Sequence, residues 1–185
     1  MANQFKRKTM PINYLKLEDA KLQSGLRMVV VPGIPSPWGE AAKGILKVKN
    51  IDWLGVQLDP RDKEMSQWTG TRSAPVAMYN EEAPRNGWAD ILLLAERLSP
   101  EPALLPKEAK LRAQALGLCF EICGEMGLGW SRRLDSVHKG LQGQPGFPLP
   151  VAQYLASKYG YHTEQSAEYK QRVIDLLGML ADMLH

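Results

Sequence analysis

Leu26-Arg27-Met28-Val29-Val30-Val31, the turn Pro32-Gly33, then Ser36-Pro37-Trp38 before Glu40-Ala41-Ala42-Lys43-Gly44-Ile45-Leu46 reads as strand, loop and helix. The first run is short, rich in β-branched residues and bounded by Gly25 and Pro32-Gly33, as a buried strand is. Pro37 suits a first helical turn, where its missing N–H would have had no partner. Ala41, Ala42, Ile45, Leu46 and Lys49 come next at helical spacing, with Glu40, Lys43 and Lys47 outside and Asn50 as the end. Ser36 thereby stands beside unpaired N–H groups at the positive end of a helix dipole, a place that suits an anion such as a thiolate. Ser36 reads equally as a plain N-cap.

Residues 53–58 give a second strand, closed by Asp59-Pro60. Strand, helix and strand with short connections predict a parallel, right-handed βαβ unit. Residues 59–72 are polar and hold Trp68, with Gly70 at a turn. Ala74-Pro75 enters a third strand over residues 76–79, and Ala83-Pro84 is expected as a short fourth strand at an edge, where proline is tolerated. Residues 88–98 form the clearest helix of this half. Residues 1–23 are expected to be an N-terminal extension or an irregular edge segment.

Residues 99–106 hold three prolines and read as a stiff linker. Beyond them the period is helical throughout. Leu111, Ala115, Leu118, Ile122 and Met126 stripe a long helix to about residue 127. Further helices are expected over 130–141 and 151–159, separated by the Gly/Pro-rich stretch 143–148. A last one begins at Thr163, with Val173, Leu176, Leu177, Leu180 and Leu184 along one face. The predicted organisation is an extension at 1–23, an α/β domain at 24–98, a linker at 99–106 and an all-α domain at 107–185.

With 185 residues and 44% apolar content the chain fills a core, and 23 basic against 20 acidic residues is not the surface of a nucleic-acid binder. No apolar run approaches the ~20 residues of a membrane span, and the N-terminus lacks a signal-peptide pattern. A soluble, intracellular, cytoplasmic protein is expected. Cys119 and Cys123, four apart on a helix, share a face but are badly placed for a disulfide or a zinc site. They read as buried small apolar residues. No metal site is expected, and His138, His162 and His185 receive no role.

The order of these pieces resembles the cytosolic glutathione transferases over residues 24–126, with the remainder matching only as helical. Members carry a Ser-Pro or Cys-Pro pair and an aromatic at the start of their first helix, here Ser36-Pro37-Trp38. They carry a cis-proline entering the third strand, here Ala74-Pro75-Val76, and a proline-bearing linker like that over 100–106. The resemblance implies a thioredoxin-like domain and then a helical one, with glutathione as co-substrate. It implies Ser36 as the group donating to the thiolate, Ala74 acting through its backbone before Pro75, and a homodimer formed on the long helix. Thiols titrate near pH ~8.5, so a donor beside a helix N-terminus favours the anion and raises its nucleophilicity.

Two departures stand out. The acidic-Ser pair that members place at the next helix start is Gly87-Trp88 here, after Arg85-Asn86, with Asp90 left to meet an amino group. The helical part is also shorter than usual. Trp38 and Trp88 are the tryptophans expected at the ligand; hydrophobic packing is the plainer role open to each. Conjugation of glutathione to a small electrophile, activated at Ser36, is therefore the first expectation. A non-catalytic glutathione-transferase-like binding or assembly scaffold is the alternative. Redox exchange is set aside, because a hydroxyl at position 36 forms no mixed disulfide.

Overall fold

The structure, a computed structural model, describes residues 13–33 and 36–184. These fall into two compact units that divide after Ala103. The first holds β1 (Tyr14–Leu15), α1 (Leu17–Lys21), β2 (Leu26–Val30), α2 (Pro37–Val48), β3 (Leu54–Gln57), α3 (Lys63–Thr69), β4 (Val76–Tyr79), β5 (Arg85–Asn86) and α4 (Gly87–Leu98). The strands form one sheet in the order β1-β3-β2-β4-β5. β2 and β3 run parallel, with Met28 opposite Gly55, and β4 runs antiparallel to β2, with Ala77 opposite Met28. The βαβ unit expected from the sequence is thus present.

Every residue of β2 is buried, because helices cover both faces of the sheet. Alternation of side chains along the strands divides the core accordingly. Leu26, Met28, Val30 and Ala77 pack with Ala42 and Leu46 of α2 and with Ile91, Leu94 and Ala95 of α4. Val29, Val56, Val76 and Met78 pack on the other face with Ala20 of α1 and Met65 of α3. Arg27 points to that second face too. It is buried, donates to the carbonyls of Gly25 and Asn80, and lies 5.9 Å from the Trp68 ring centre.

Three elements differ from the sequence reading. Tyr14–Leu15 and Leu17–Lys21, expected within an extension or irregular edge, are an edge strand parallel to β3 and a short helix. The first twelve residues lie outside the described ones. Residues 63–69, read as a polar connection, form a helix whose N-cap Asp62 accepts from the N–H groups of Glu64 and Met65. The edge strand expected at Ala83-Pro84 lies at Arg85–Asn86, where no proline removes a donor from the ladder.

The second unit is helical: α5 (Ala109–Cys123), α6 (Leu128–Leu141), α7 (Leu149–Tyr159), a 3₁₀ turn (Thr163–Gln165) and α8 (Ser166–Asp182). Ser131, Leu134 and Val137 of α6 are buried, as are Ala152 of α7 and Tyr169 and Leu176 of α8. α5 has no fully buried residue, and Leu111 and Phe120 are more than half exposed. Cys119 and Cys123 form no disulfide and are half-buried rather than enclosed, as α5 has no fully buried residue.

Candidate active site

Three chain segments meet at one end of the sheet in the first unit. β2 leads into a loop and then α2, whose N-cap is Ser36 and whose first residue is Pro37. The Ala74-Pro75 bond before β4 is cis. Val76 lies opposite Asn86 in the ladder, and the Gly87 N–H donates to the Pro75 carbonyl at 3.0 Å, so α4 starts beside the entry to β4. Gly87 has φ +79°, which a side chain disfavours, and this lets the chain turn from β5 directly into α4.

Between these segments lies a cleft of about 340 Å³ lined by Trp38, Gly70, Thr71, Ser73, Ala74, Pro75, Asn86 and Gly87. Its α3–β4 wall is held by local bonds. The Thr69 hydroxyl is buried 2.8 Å from the Thr71 carbonyl, and the Ser73 N–H donates to Thr71 Oγ1 at 3.2 Å. Neither the Ser36 nor the Asn86 side chain caps its helix, and the two helices begin at this one end of the sheet. Their dipoles therefore favour negative charge there.

Trp38, Ala74, Pro75 and Gly87, singled out from the sequence, come together in the lining. Ser36 stands at the head of α2, half-buried, with its Oγ making no capping bond and its Cβ leaning over Gly39. It is not a lining residue. Trp88, also expected at the ligand, is buried in the first turn of α4 and is not a lining residue. Asp90, in that first turn, is exposed and outside the lining. Gly70, Thr71, Ser73 and Asn86 were missed, although Thr71 and Ser73 flank Arg72 just before Ala74-Pro75, and Asn86 directly precedes Gly87. Among the described residues no group of three or more His, Cys, Asp or Glu could hold a metal ion.

Burial pushes the Cys119 and Cys123 thiols up, and for Cys123 the neighbouring Cys119 adds to the rise. Both lie in α5, and neither is a lining residue of the cleft.

No family model and no curated protein matches the sequence. Solved structures match in fold. A glutathione transferase homolog from Sulfitobacter with bound glutathione gives a TM-score of 0.56 at 12% identity, over 88% of this chain and 69% of its own. A glutathione S-transferase from Methylobacterium radiotolerans, in complex with glutathione sulfonate, gives 0.55 at 16% identity, over 88% and 68%. A human glutathione S-transferase in its apo form gives 0.59 at 15% identity, over 84% of this chain and 61% of its own. The chain therefore has the fold of the glutathione transferases, a thioredoxin-like sheet domain and then a helical one, and spans about two thirds of the length of these structures.

Proposed function

We propose that the cleft binds glutathione and that the protein presents its thiolate to a small electrophile, as a glutathione-transferase-like enzyme. The observation that carries this reading is the meeting of Trp38, Ala74 and Gly87 in one cleft at the heads of α2 and α4. Two of the solved structures with this fold hold glutathione or its sulfonate, which supports the same ligand here. Ala74 acts through its backbone N–H and C=O on the peptide part of the ligand. The Ser36 hydroxyl, free of a capping bond, donates to the sulfur and with the α2 dipole holds the thiol as its anion. The thiol proton leaves to solvent. The sulfur lone pair then forms the new C–S bond, and a leaving group departs with its electron pair, or an adjacent carbanion takes up a proton.

Calorimetric titration of the whole protein with glutathione tests the reading. Binding with millimolar or tighter affinity is expected, and no heat at that concentration refutes it.

The alternative, a binding or assembly scaffold, draws on one observation: Ser36 lies outside the lining of the cleft. Turnover on an electrophile panel that Ser36→Ala abolishes would reject the scaffold. In either reading a cytoplasmic homodimer is part of the proposal, formed on α5, which leaves Leu111 and Phe120 over half exposed. Light scattering at micromolar concentration should show a dimer that Phe120→Glu dissociates.

A further inference from the structure

Cys119 and Cys123 take no part in the chemistry proposed for the cleft. They lie four apart on α5, Cys123 as its last residue and Cys119 one turn before it. Residues at that spacing are neighbours on one helix face, with Cβ atoms about 5–6 Å apart. Helical rotamers tip both side chains toward the N-terminus, so the two sulfurs stand on one side of the helix, one above the other. Each residue is half-buried, which leaves part of it open to solvent. The thiols also sense each other, since Cys119 raises the value of Cys123 beyond the effect of burial.

This spacing is too wide for a direct S–S bond, which needs Cβ atoms about 3.5–4.5 Å apart. One atom placed between the sulfurs closes the gap. Zinc asks for four ligands, twice what the pair supplies. A soft cation that takes two thiolates in line asks for no more than the pair. Charge narrows the choice further. Burial disfavours a net charge at these thiols, and the negative end of the α5 dipole disfavours an anion there. A monovalent cation such as Cu(I) between two thiolates leaves one negative charge, whereas a divalent cation leaves none.

We infer that Cys119 and Cys123 form a two-thiolate site for a soft divalent cation, with Hg(II) as the ion that suits both the spacing and the charge. Each sulfur gives up its proton and donates a lone pair to the metal. Two S–H bonds break, two Hg–S bonds form, two protons leave to solvent, and nothing is oxidised or reduced. The cation cancels the repulsion between the thiolates. Chelation supplies the strength: once one sulfur is bound, the helix holds the other beside the metal at a high effective concentration.

The whole protein, loaded with one equivalent of mercuric chloride, tests the site. Native mass spectrometry should find one mercury per chain, and a pH-stat should record about two protons released per cation. Under challenge with the monothiol 2-mercaptoethanol, the unaltered protein should hold its metal to a competitor concentration about a hundredfold higher than Cys119→Ala or Cys123→Ala. The serine versions serve if an alanine version fails to fold. Cys123→Ala/Gly117→Cys keeps two thiols but sets them two apart, where they do not face each other. The side chain added at Gly117 meets nothing within 4 Å, and this variant should release mercury as readily as the single ones. Mercury shared between two chains would overturn the inference. So would an unaltered protein that holds the metal no better than the single variants, or a Gly117→Cys variant that holds it as well as the unaltered protein.

Discussion

Lys49 Nζ lies 2.6 Å from Glu96 Oε1, and the lysine side chain is wholly buried. The same ammonium donates to the carbonyls of Pro102 at 2.8 Å and Pro100 at 3.3 Å, so its three hydrogens are all taken. Lys49 is the C-cap of α2, and Glu96 lies in the last turns of α4. One side chain thus ties two helices to the start of the proline-rich stretch. Lys49→Met should remove the buried cation beside Glu96 and cost about 3 kcal/mol in urea unfolding. The double variant Lys49→Met/Glu96→Leu should recover most of that loss. A double variant as unstable as the single one would show that the ion pair is not the source.

Gly140 of α6 is a second point of tight fit. A Cβ there would stand 2.3 Å from the Phe147 carbonyl oxygen and 3.0 Å from the Ala152 Cβ. Neither neighbour is the end of a flexible side chain, so Gly140→Ala must displace the loop before α7 or α7 itself. Thermal unfolding should report a loss of about 2 kcal/mol. Gly117→Ala on α5 makes the opposite case: nothing lies within 4 Å of its added methyl, so stability should rise by up to about 1 kcal/mol through helix propensity.

Burial decided which elements were legible in the sequence. β2 and β4 announced themselves because their residues are almost uniformly buried between two helical layers. α2 and α4 did so through their amphipathic period. β1 has two residues, too few to show any period, and owes its existence to pairing with β3. α3 buries only Met65 and Thr69, so its polar sequence hid a helix that the cap at Asp62 could have revealed. In the cleft, Trp38, Ala74, Pro75 and Gly87 were reached through the family resemblance. Thr71, Ser73 and Asn86 were not, since small polar residues in turns look alike until the sheet brings them together.

Ser36→Ala tests the proposed chemistry against stability. Because the hydroxyl makes no capping bond, its loss should leave the melting temperature almost unchanged. Turnover with glutathione should fall by about a hundredfold if the hydroxyl stabilises the thiolate. The titration of bound glutathione, followed by thiolate absorbance, should move to higher pH in the variant. An unmoved titration would remove Ser36 from the mechanism.

The α5 thiols give a prediction in pH. The folded chain holds the Cys119 and Cys123 protons beyond the ordinary thiol value, so the unfolded chain releases them first as pH rises. The stability they contribute is complete below that value and is lost as pH climbs through the raised folded values. The loss should flatten in Cys119→Ala/Cys123→Ala. At neutral pH both thiols should alkylate more slowly in the folded protein than in urea.

Among the described residues, those that line the cleft fall between positions 38 and 87, within the first unit. On the proposed reading, the machinery for capturing a thiol is a self-contained cassette encoded in one uninterrupted stretch. Lineages carrying such a cassette can remodel the helical unit after it without having to reinvent the nucleophile. Capture of the thiol and choice of electrophile then evolve as separable traits, the first held fixed while the second drifts.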